Sequence, residues 1–277
     1  MRSAGFAATG VILTGVTSWL DDPEEVAAEY ASEEAFRERT LAFTELLDGP
    51  DDEEIVRARL LTTRPGRLLE VGSGLGDLAV WAKAQLGGKV VAVDSSARMV
   101  ELASRAGVTA VKADMRHLPF PDTSFDCVVA TAVLYHVPDP ESAIEEAVRV
   151  LDAGGSFLAT TGSDDQSDRD LAWGSLFAEE IPARAPLSFS RENGRELLLR
   201  YFGDVEQVDC DGALVFPTRE RLVRYVRALP LARDAAARVP ELAEPFRLPV
   251  KMTVFYATIP RRINDPDYDR PPDVAPA

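Results

Sequence analysis

The stretch Arg67-Leu-Leu-Glu-Val-Gly-Ser-Gly-Leu-Gly-Asp77 decides the fold. A short apolar run leads straight into three glycines at alternate positions, and helical periodicity follows over 78–86. Glycines at a strand-to-helix turn let a ligand lie close against the backbone, so a nucleotide-like group fits across this turn. The details narrow the ligand. The spacing is G-x-G-x-G, Glu70 stands two residues before the first glycine, and Asp77 takes the place of the third glycine of the dinucleotide fingerprint. Glu70 and Asp77 put negative charge where a pyrophosphate would sit, which disfavours NAD and suits a ligand carrying ammonium and sulfonium groups. Asp94 closes the next apolar run, 18 residues beyond Gly76. A carboxylate there accepts ribose hydroxyls, as any adenosine ligand requires. Its structural alternative is a helix cap ahead of Ser95 and Ser96.

Outward from this turn, short apolar runs alternate with helical stretches, the sign of a parallel sheet covered on both faces. Strands are expected at 67–71, 90–94, 108–112, 125–131 and 156–161, with helices at 78–86, 97–106 and 141–151. Later, 193–202 and 219–229 read as helices, 205–211 and 252–259 as strands, and 162–190 and 212–250 as insertions. Ahead of the first strand, two or three helices are expected between Pro23 and Leu61. The division expected from this pattern is 1–62 as an N-terminal helical segment, 63–161 as a Rossmann-like core, 162–262 as the rest of the core with its insertions, and 263–277 as a disordered, Pro- and Asp-rich tail.

Composition excludes several functions. The 277 residues carry 30 basic and 46 acidic side chains, a net charge of -16, which argues against binding led by nucleic-acid phosphates. Fourteen acids against Arg37 and Arg39 fall between Asp21 and Glu54, so that segment supplies -12 of the total. It reads either as a solvated helical face or as a wall that attracts a cationic substrate. Cys127 and Cys210 lie in apolar runs and lack metal-ligand spacing, and only His117 and His136 are available as imidazoles, so a metal site is not expected. No run reaches the roughly 18 apolar residues of a membrane span. The apolar start is broken by Thr14, Gly15, Thr17 and Ser18, unlike a signal peptide. A cytoplasmic location is expected, and the excess of Arg (26) over Lys (4) hints at a GC-rich bacterium.

An ordered series of motifs then carries a resemblance. Glu70 to Asp77, Val91 to Ser95, Ala113-Asp114-Met115, Leu118 to Asp126, Leu134-Tyr-His-Val-Pro-Asp139 and Arg149-Val-Leu-Asp-Ala-Gly-Gly155 resemble the successive motifs of class I S-adenosylmethionine (SAM) dependent methyltransferases. The branch most similar is that of the ubiquinone and menaquinone biosynthesis enzymes and related small-molecule methyltransferases. The resemblance covers about residues 67–161, with Leu151-Asp-Ala-Gly-Gly standing where Leu-Lys-Pro-Gly-Gly is common. It implies an α/β, Rossmann-like seven-stranded sheet, mostly parallel with its last strand antiparallel, N-terminal helices and a helical cap. It also implies SAM as cofactor and S-adenosylhomocysteine (SAH) as product. Glu70, Gly72, Ser73, Gly74 and Gly76 would form the methionine and ribose side of the pocket. Asp94 would hold the ribose, Ser95 and Met99 would be among the cofactor-binding residues, and Asp114 with the Met115 backbone would read the adenine. Ala130 or Thr131 would lie near the transferred methyl.

SAM arrives already activated, so the protein's main task is alignment in a dry pocket. A protonated amine or a hydroxyl acceptor still needs a base, and His136 is the plausible imidazole, with Tyr135 as a possible substrate contact; both also fit structural roles. His117 reads as a surface or adenine-edge residue. Between Gly162 and Pro182 six acids face Arg169 alone, which adds to a negative surround or merely solvates a loop. Trp19, Tyr30, Trp173 and Phe177 would cover the ligand or fill the core. The expected partner is a small-molecule methyl acceptor, first an amino group on a cationic natural product such as an aminoglycoside, then a quinone- or polyketide-like O or C acceptor; behind these stand methylation of RNA or protein and a noncatalytic SAM-binding role. No nucleic acid and no membrane partner are expected, and the assembly would be a monomer or homodimer.

Overall fold

The computed structural model describes residues 32–178, 186–229 and 233–259. Expectations for Trp19, Tyr30, the first N-terminal helix, Glu179, Glu180 and the tail lie outside the described residues. Among the described residues the chain forms two compact units, one gathering 32–50, 163–178, 186–187, 210–229 and 233–251, the other 51–162, 188–209 and 252–259.

The second unit holds the core sheet. Strands β2 (Arg67–Val71), β3 (Lys89–Asp94), β4 (Thr109–Lys112), β5 (Phe125–Thr131) and β6 (Leu151–Gly162) pair in parallel in the order β4-β3-β2-β5-β6, and the 252–258 half of β8 (Phe246–Thr258) adds antiparallel to β6. Leu68 and Leu69 are both fully buried, as are Val128 and Val129, because helices cover both faces. Those helices are α2 (Asp52–Thr63), α3 (Asp77–Leu86), α4 (Ala97–Arg105), α5 (Pro140–Val150) and the short α7 (Gly194–Leu199). Their starts are written locally: Ser96 caps α4 by accepting from the Met99 N–H, and Asp139 caps α5 with Pro140 in its first turn. Asp126 accepts from the Gly66 and Arg67 N–H groups at 3.2 and 2.9 Å and anchors the start of β2. The core packs Phe125, Phe157, Phe189 and Phe255 around Leu69, Val93 and Ile144.

The first unit contains α1 (Glu33–Leu46), β1 (Leu47–Asp48), α6 (Ser167–Phe177) and α8 (Arg219–Ala228), with the 210–216 half of β7 (Asp204–Phe216) and the 246–251 half of β8. Trp173, Phe216, Leu222 and Tyr225 form its core, and Arg221 ties α8 to Glu38 and Glu45 of α1. Trp173 is therefore a core residue here, stacked on Phe177 with ring centroids 5.8 Å apart.

Two expectations change. The sheet has eight strands rather than seven, in the order β1-β7-β8-β6-β5-β2-β3-β4, because Leu47–Asp48 pairs antiparallel with Leu214 and Ala213. The 212–250 stretch is not a plain insertion: β7 runs on to Phe216 and β8 begins at Phe246. Glycine and proline punctuation inside these runs hid their length, since Gly212 and Pro249 read as breaks.

Candidate active site

The site forms at the carboxyl ends of β2, β3, β5 and β6, where an open α/β sheet accepts its ligand. Backbone hydrogen bonds fix the glycine turn there. Ser73 N–H donates to the Val93 carbonyl at 3.0 Å, Gly74 N–H to Asp94 Oδ2 at 2.9 Å, and Ala113 N–H to the Asp94 carbonyl at 3.1 Å. Glu70, the glycine turn, Asp94 and the Ala113-Asp114-Met115 segment are thus brought together.

Gly72 (φ 67°) and Gly76 (φ 80°) are required by geometry. A Cβ on Gly72 would lie 2.3 Å from Val133 Cγ2, and one on Gly76 would lie 2.8 Å from Ala103 Cβ, in backbone conformations that L side chains rarely adopt. Val133, which closes over Gly72, was invisible to sequence reasoning because it comes from the loop after β5.

The donors and acceptors at this turn are set out for a missing partner. Glu70 is 2% exposed, yet its Oε2 has no hydrogen-bond partner, and neither does the buried Ser73 Oγ. Such orphans are rare in protein interiors. Burial pushes the Glu70 carboxyl up to about 8, against the pull of the Ala79 backbone N–H, with Glu53, Asp77 and Asp94 adding like-charge repulsion. In the ligand-free protein Glu70 is therefore mostly neutral at pH 7, and a bound cation would draw out its charge. An ammonium-bearing ligand supplies what both orphaned atoms lack, so these residues fit SAM.

Asp94 is half-buried and raised by that burial, while the Ser96 and Gly74 N–H groups pull it down. Its carboxylate spans the turn, Oδ1 taking the Ser96 N–H at 2.8 Å and Oδ2 the Gly74 N–H. The cap of α4 is Ser96 itself, so Asp94 does not serve as that cap. Ser95 is exposed, and Met99 is 1% exposed with its side chain in the interior. Asp114 is held below the usual carboxylate range by the Arg116 guanidinium, which grips it through Nε at 3.1 Å and Nη2 at 2.7 Å. Met115 is half-buried beside it and His117 is exposed.

At the tip of β5, Ala130 is fully buried in the core and Thr131 is half-buried. Ala132 adopts φ 49°, and its N–H is shared between the Thr160 carbonyl at 3.1 Å and Thr160 Oγ1 at 3.0 Å. A left-handed alanine at a strand tip is strain that the surrounding structure must impose. Tyr135 and His136 follow in a single 3₁₀ turn, both half-buried, with ring centroids 4.5 Å apart. Ser188 Oγ donates to the Tyr135 carbonyl at 3.4 Å.

The comparisons with known proteins agree with this geometry. Residues 69–159 match the methyltransferase-domain family. These residues form a class I SAM-dependent methyltransferase domain. The domain is 40% identical over 103 residues to the ubiquinone/menaquinone biosynthesis C-methyltransferase UbiE of Xanthomonas campestris pv. campestris, covering 33% of this chain and 41% of that one. In structure this chain is similar to the YcgJ protein of Bacillus subtilis, with TM-score 0.52 and 18% identity over 76% of this chain and 99% of that one. It is also similar to a phosphoethanolamine N-methyltransferase of Haemonchus contortus solved with phosphomonomethylethanolamine and SAH, with TM-score 0.51 and 21% identity over 76% and 52% of the two chains. The chain spans about a third to a half of the length of the curated relatives it matches, 31% to 51%.

Among the described residues no cluster of His, Cys, Asp or Glu is arranged to hold a metal ion, and no helix is long and apolar enough to cross a membrane. Cys127 and Cys210 are free and buried, and burial pushes the Cys127 thiol up to about 12.

Proposed function

We propose that the protein methylates a small molecule at the expense of SAM, and that the acceptor atom is an amino nitrogen on a cationic natural product of the aminoglycoside kind. Glu70, Ser73 and the glycine turn would hold the methionine end of SAM, Asp94 its ribose, and Asp114 with Met115 its adenine. When bound, SAM supplies an electrophilic methyl on a sulfonium. The protein's own residues bind, orient and exclude water.

One observation carries this reading: a buried Glu70 whose Oε2 has no partner, beneath a glycine turn whose Asp94 is already committed to the backbone. The acidic surround favours a cationic acceptor over an anionic one. Tyr135 and His136, in the turn after β5, are proposed to face the acceptor, His136 as its base or contact. Part of the expected negative wall is already neutralised, because Asp165 and Asp168 pair with Lys251 at 2.8 and 3.1 Å. A soluble cytoplasmic monomer or homodimer remains the working picture.

A second reading is O- or C-methylation of a quinone- or polyketide-like acceptor, and the 40% identity to a UbiE C-methyltransferase favours it. Release of SAH from SAM, measured over panels of amines, phenols and quinols, tests both. Turnover of amines alone supports the first reading, turnover of quinols alone replaces it with the second, and SAH release with DNA or RNA but no small molecule overturns both.

A further inference from the structure

Arg116 sits in the turn just past the end of β4, and among the described residues its side chain and its N–H all donate to one carboxylate, that of Asp114. The Asp114 carbonyl accepts the His117 N–H at 2.9 Å, which closes the turn with Met115 and Arg116 at its centre. Inside the turn, Asp114 Oδ1 accepts the Arg116 N–H at 2.9 Å. The guanidinium then folds onto the same group, with Nε 3.1 Å from Oδ1 and 3.2 Å from Oδ2 and Nη2 2.7 Å from Oδ2.

The Arg116 and Asp114 side chains are 36% and 42% exposed, and an ion pair in that setting adds little to folding stability. Its effect falls on the carboxylate instead. An Asp side chain without such partners rotates and hydrates, whereas this one is fixed in direction by a backbone N–H and two arms of a planar fork. The guanidinium also keeps Asp114 below the usual carboxylate range, so the group stays an acceptor only. A carboxylate offers about four acceptor positions. The Arg116 N–H and Nε occupy those of Oδ1, and Nη2 occupies one of Oδ2, which leaves a single position open on Oδ2.

That position lies at the ligand-binding edge of the sheet. Lys112, the last residue of β4, pairs with Asp94 of β3, and the Ala113 N–H donates to the Asp94 carbonyl at 3.1 Å. The strand order β2-β3-β4 therefore sets Glu70, Asp94 and Asp114 in that sequence along the carboxyl ends. A ligand with its ammonium at Glu70 and its ribose at Asp94 carries its base onward to β4. Adenine presents there a 6-amino group, which has protons to give and suits an acceptor with one vacant position.

We propose that Arg116 is a positioning residue for base recognition: its fork locks the Asp114 carboxylate so that the one open position of Oδ2 takes a proton of the adenine 6-amino group. This inference rests on the reading that Asp114 and Met115 hold the adenine of SAM. Arg116 touches the carboxylate and not the ligand, and it acts by ordering an exposed acceptor before the ligand arrives. A lysine would keep the charge but could not hold both oxygens in one plane.

The test is titration calorimetry on the full chain with two ligands, SAH and its analogue whose base is purine, with hydrogen in place of the 6-amino group. Wild type should bind SAH about 10- to 100-fold more tightly than the analogue, the worth of one hydrogen bond to a charged group. In Arg116→Ala and in Arg116→Lys that ratio should fall to threefold or less, through loss of SAH affinity, while the affinity for the analogue stays within twofold of wild type. Asp114→Ala should abolish the ratio as well. Equal weakening of both ligands in Arg116→Ala marks a merely structural role and overturns the inference, as does a wild-type ratio in Arg116→Lys. A ratio lost in Asp114→Ala but kept in Arg116→Ala overturns the role of Arg116 and leaves the adenine reading standing. A ratio untouched in Asp114→Ala, or close to one in wild type, ends the adenine reading and this inference with it. Should Arg116→Ala fail to fold, judged by thermal unfolding, Arg116→Lys decides the question.

Discussion

Replacing Glu70 by Gln keeps the shape of the side chain and removes its titration. In the folded protein burial, as the main cause, pushes the Glu70 carboxyl up to about 8 from an ordinary 4.5. Because the folded value is the higher one, the stability associated with this group is fully present below pH 4.5 and is lost as pH rises toward 8. At roughly 1.4 kcal/mol per unit, the cost in the ligand-free protein approaches about 5 kcal/mol above pH 8, and about 4 of these are already lost at pH 7.5. The Gln variant is spared that loss but buries an amide whose donors need partners, at about 1–3 kcal/mol. It should therefore be more stable than wild type by about 1–3 kcal/mol at pH 7.5 and less stable at pH 4.5.

The same protonation couples to the ligand. At pH 7.5 about 0.8 of wild-type molecules carry the Glu70 proton, and pairing with the ammonium of SAM expels it. Isothermal titration of SAM in buffers of different ionisation enthalpy should then report about 0.8 proton released per ligand, and SAM affinity should rise with pH between 6 and 8. In Glu70→Gln the release should vanish and affinity should drop about 10- to 100-fold, the worth of a charged hydrogen bond. A wild-type release below about 0.2 proton, or the same release from the Gln variant, would refute the placement of the ligand's ammonium on Glu70.

Other perturbations follow from the same geometry. Asp94→Ala should raise the Kd for SAM more than 100-fold and, by stranding the Gly74 and Ser96 N–H groups, lower stability by about 2 kcal/mol in urea denaturation; an unchanged Kd would remove the residue from the site. Gly72→Ala should lose both SAM binding and stability, because Val133 cannot retreat without moving the loop after β5; retention of wild-type Tm and affinity would contradict the close approach. Ser96→Ala should cost about 1 kcal/mol of stability through loss of the α4 cap while leaving catalysis within a few fold, as chemical denaturation and SAH release would report.

Much of the core was legible in the chain itself. β2 and β5 begin and end where apolar periodicity put them, and β3, α3 and α4 start or stop within a residue of expectation, because buried strands and capped helices are encoded by neighbouring residues. The glycine turn, the acids around it and Asp94 could be read for the same reason: their chemistry is local. The lengths of β6, β7 and β8 were not legible. Residues such as Asp152, Gly154 and Pro249 carry turn propensity, and only pairing with neighbouring strands overrides it.

What the sequence alone determined, then, is the parallel α/β core and the character of its ligand, since spacing and charge are properties of adjacent residues. Tertiary structure decided the rest, because proximity between residues distant in the chain depends on packing. Burial made Glu70 a neutral acid with an orphaned oxygen, a contact specified only by the fold set Val133 over Gly72, and strand order carried Thr160 to Ala132.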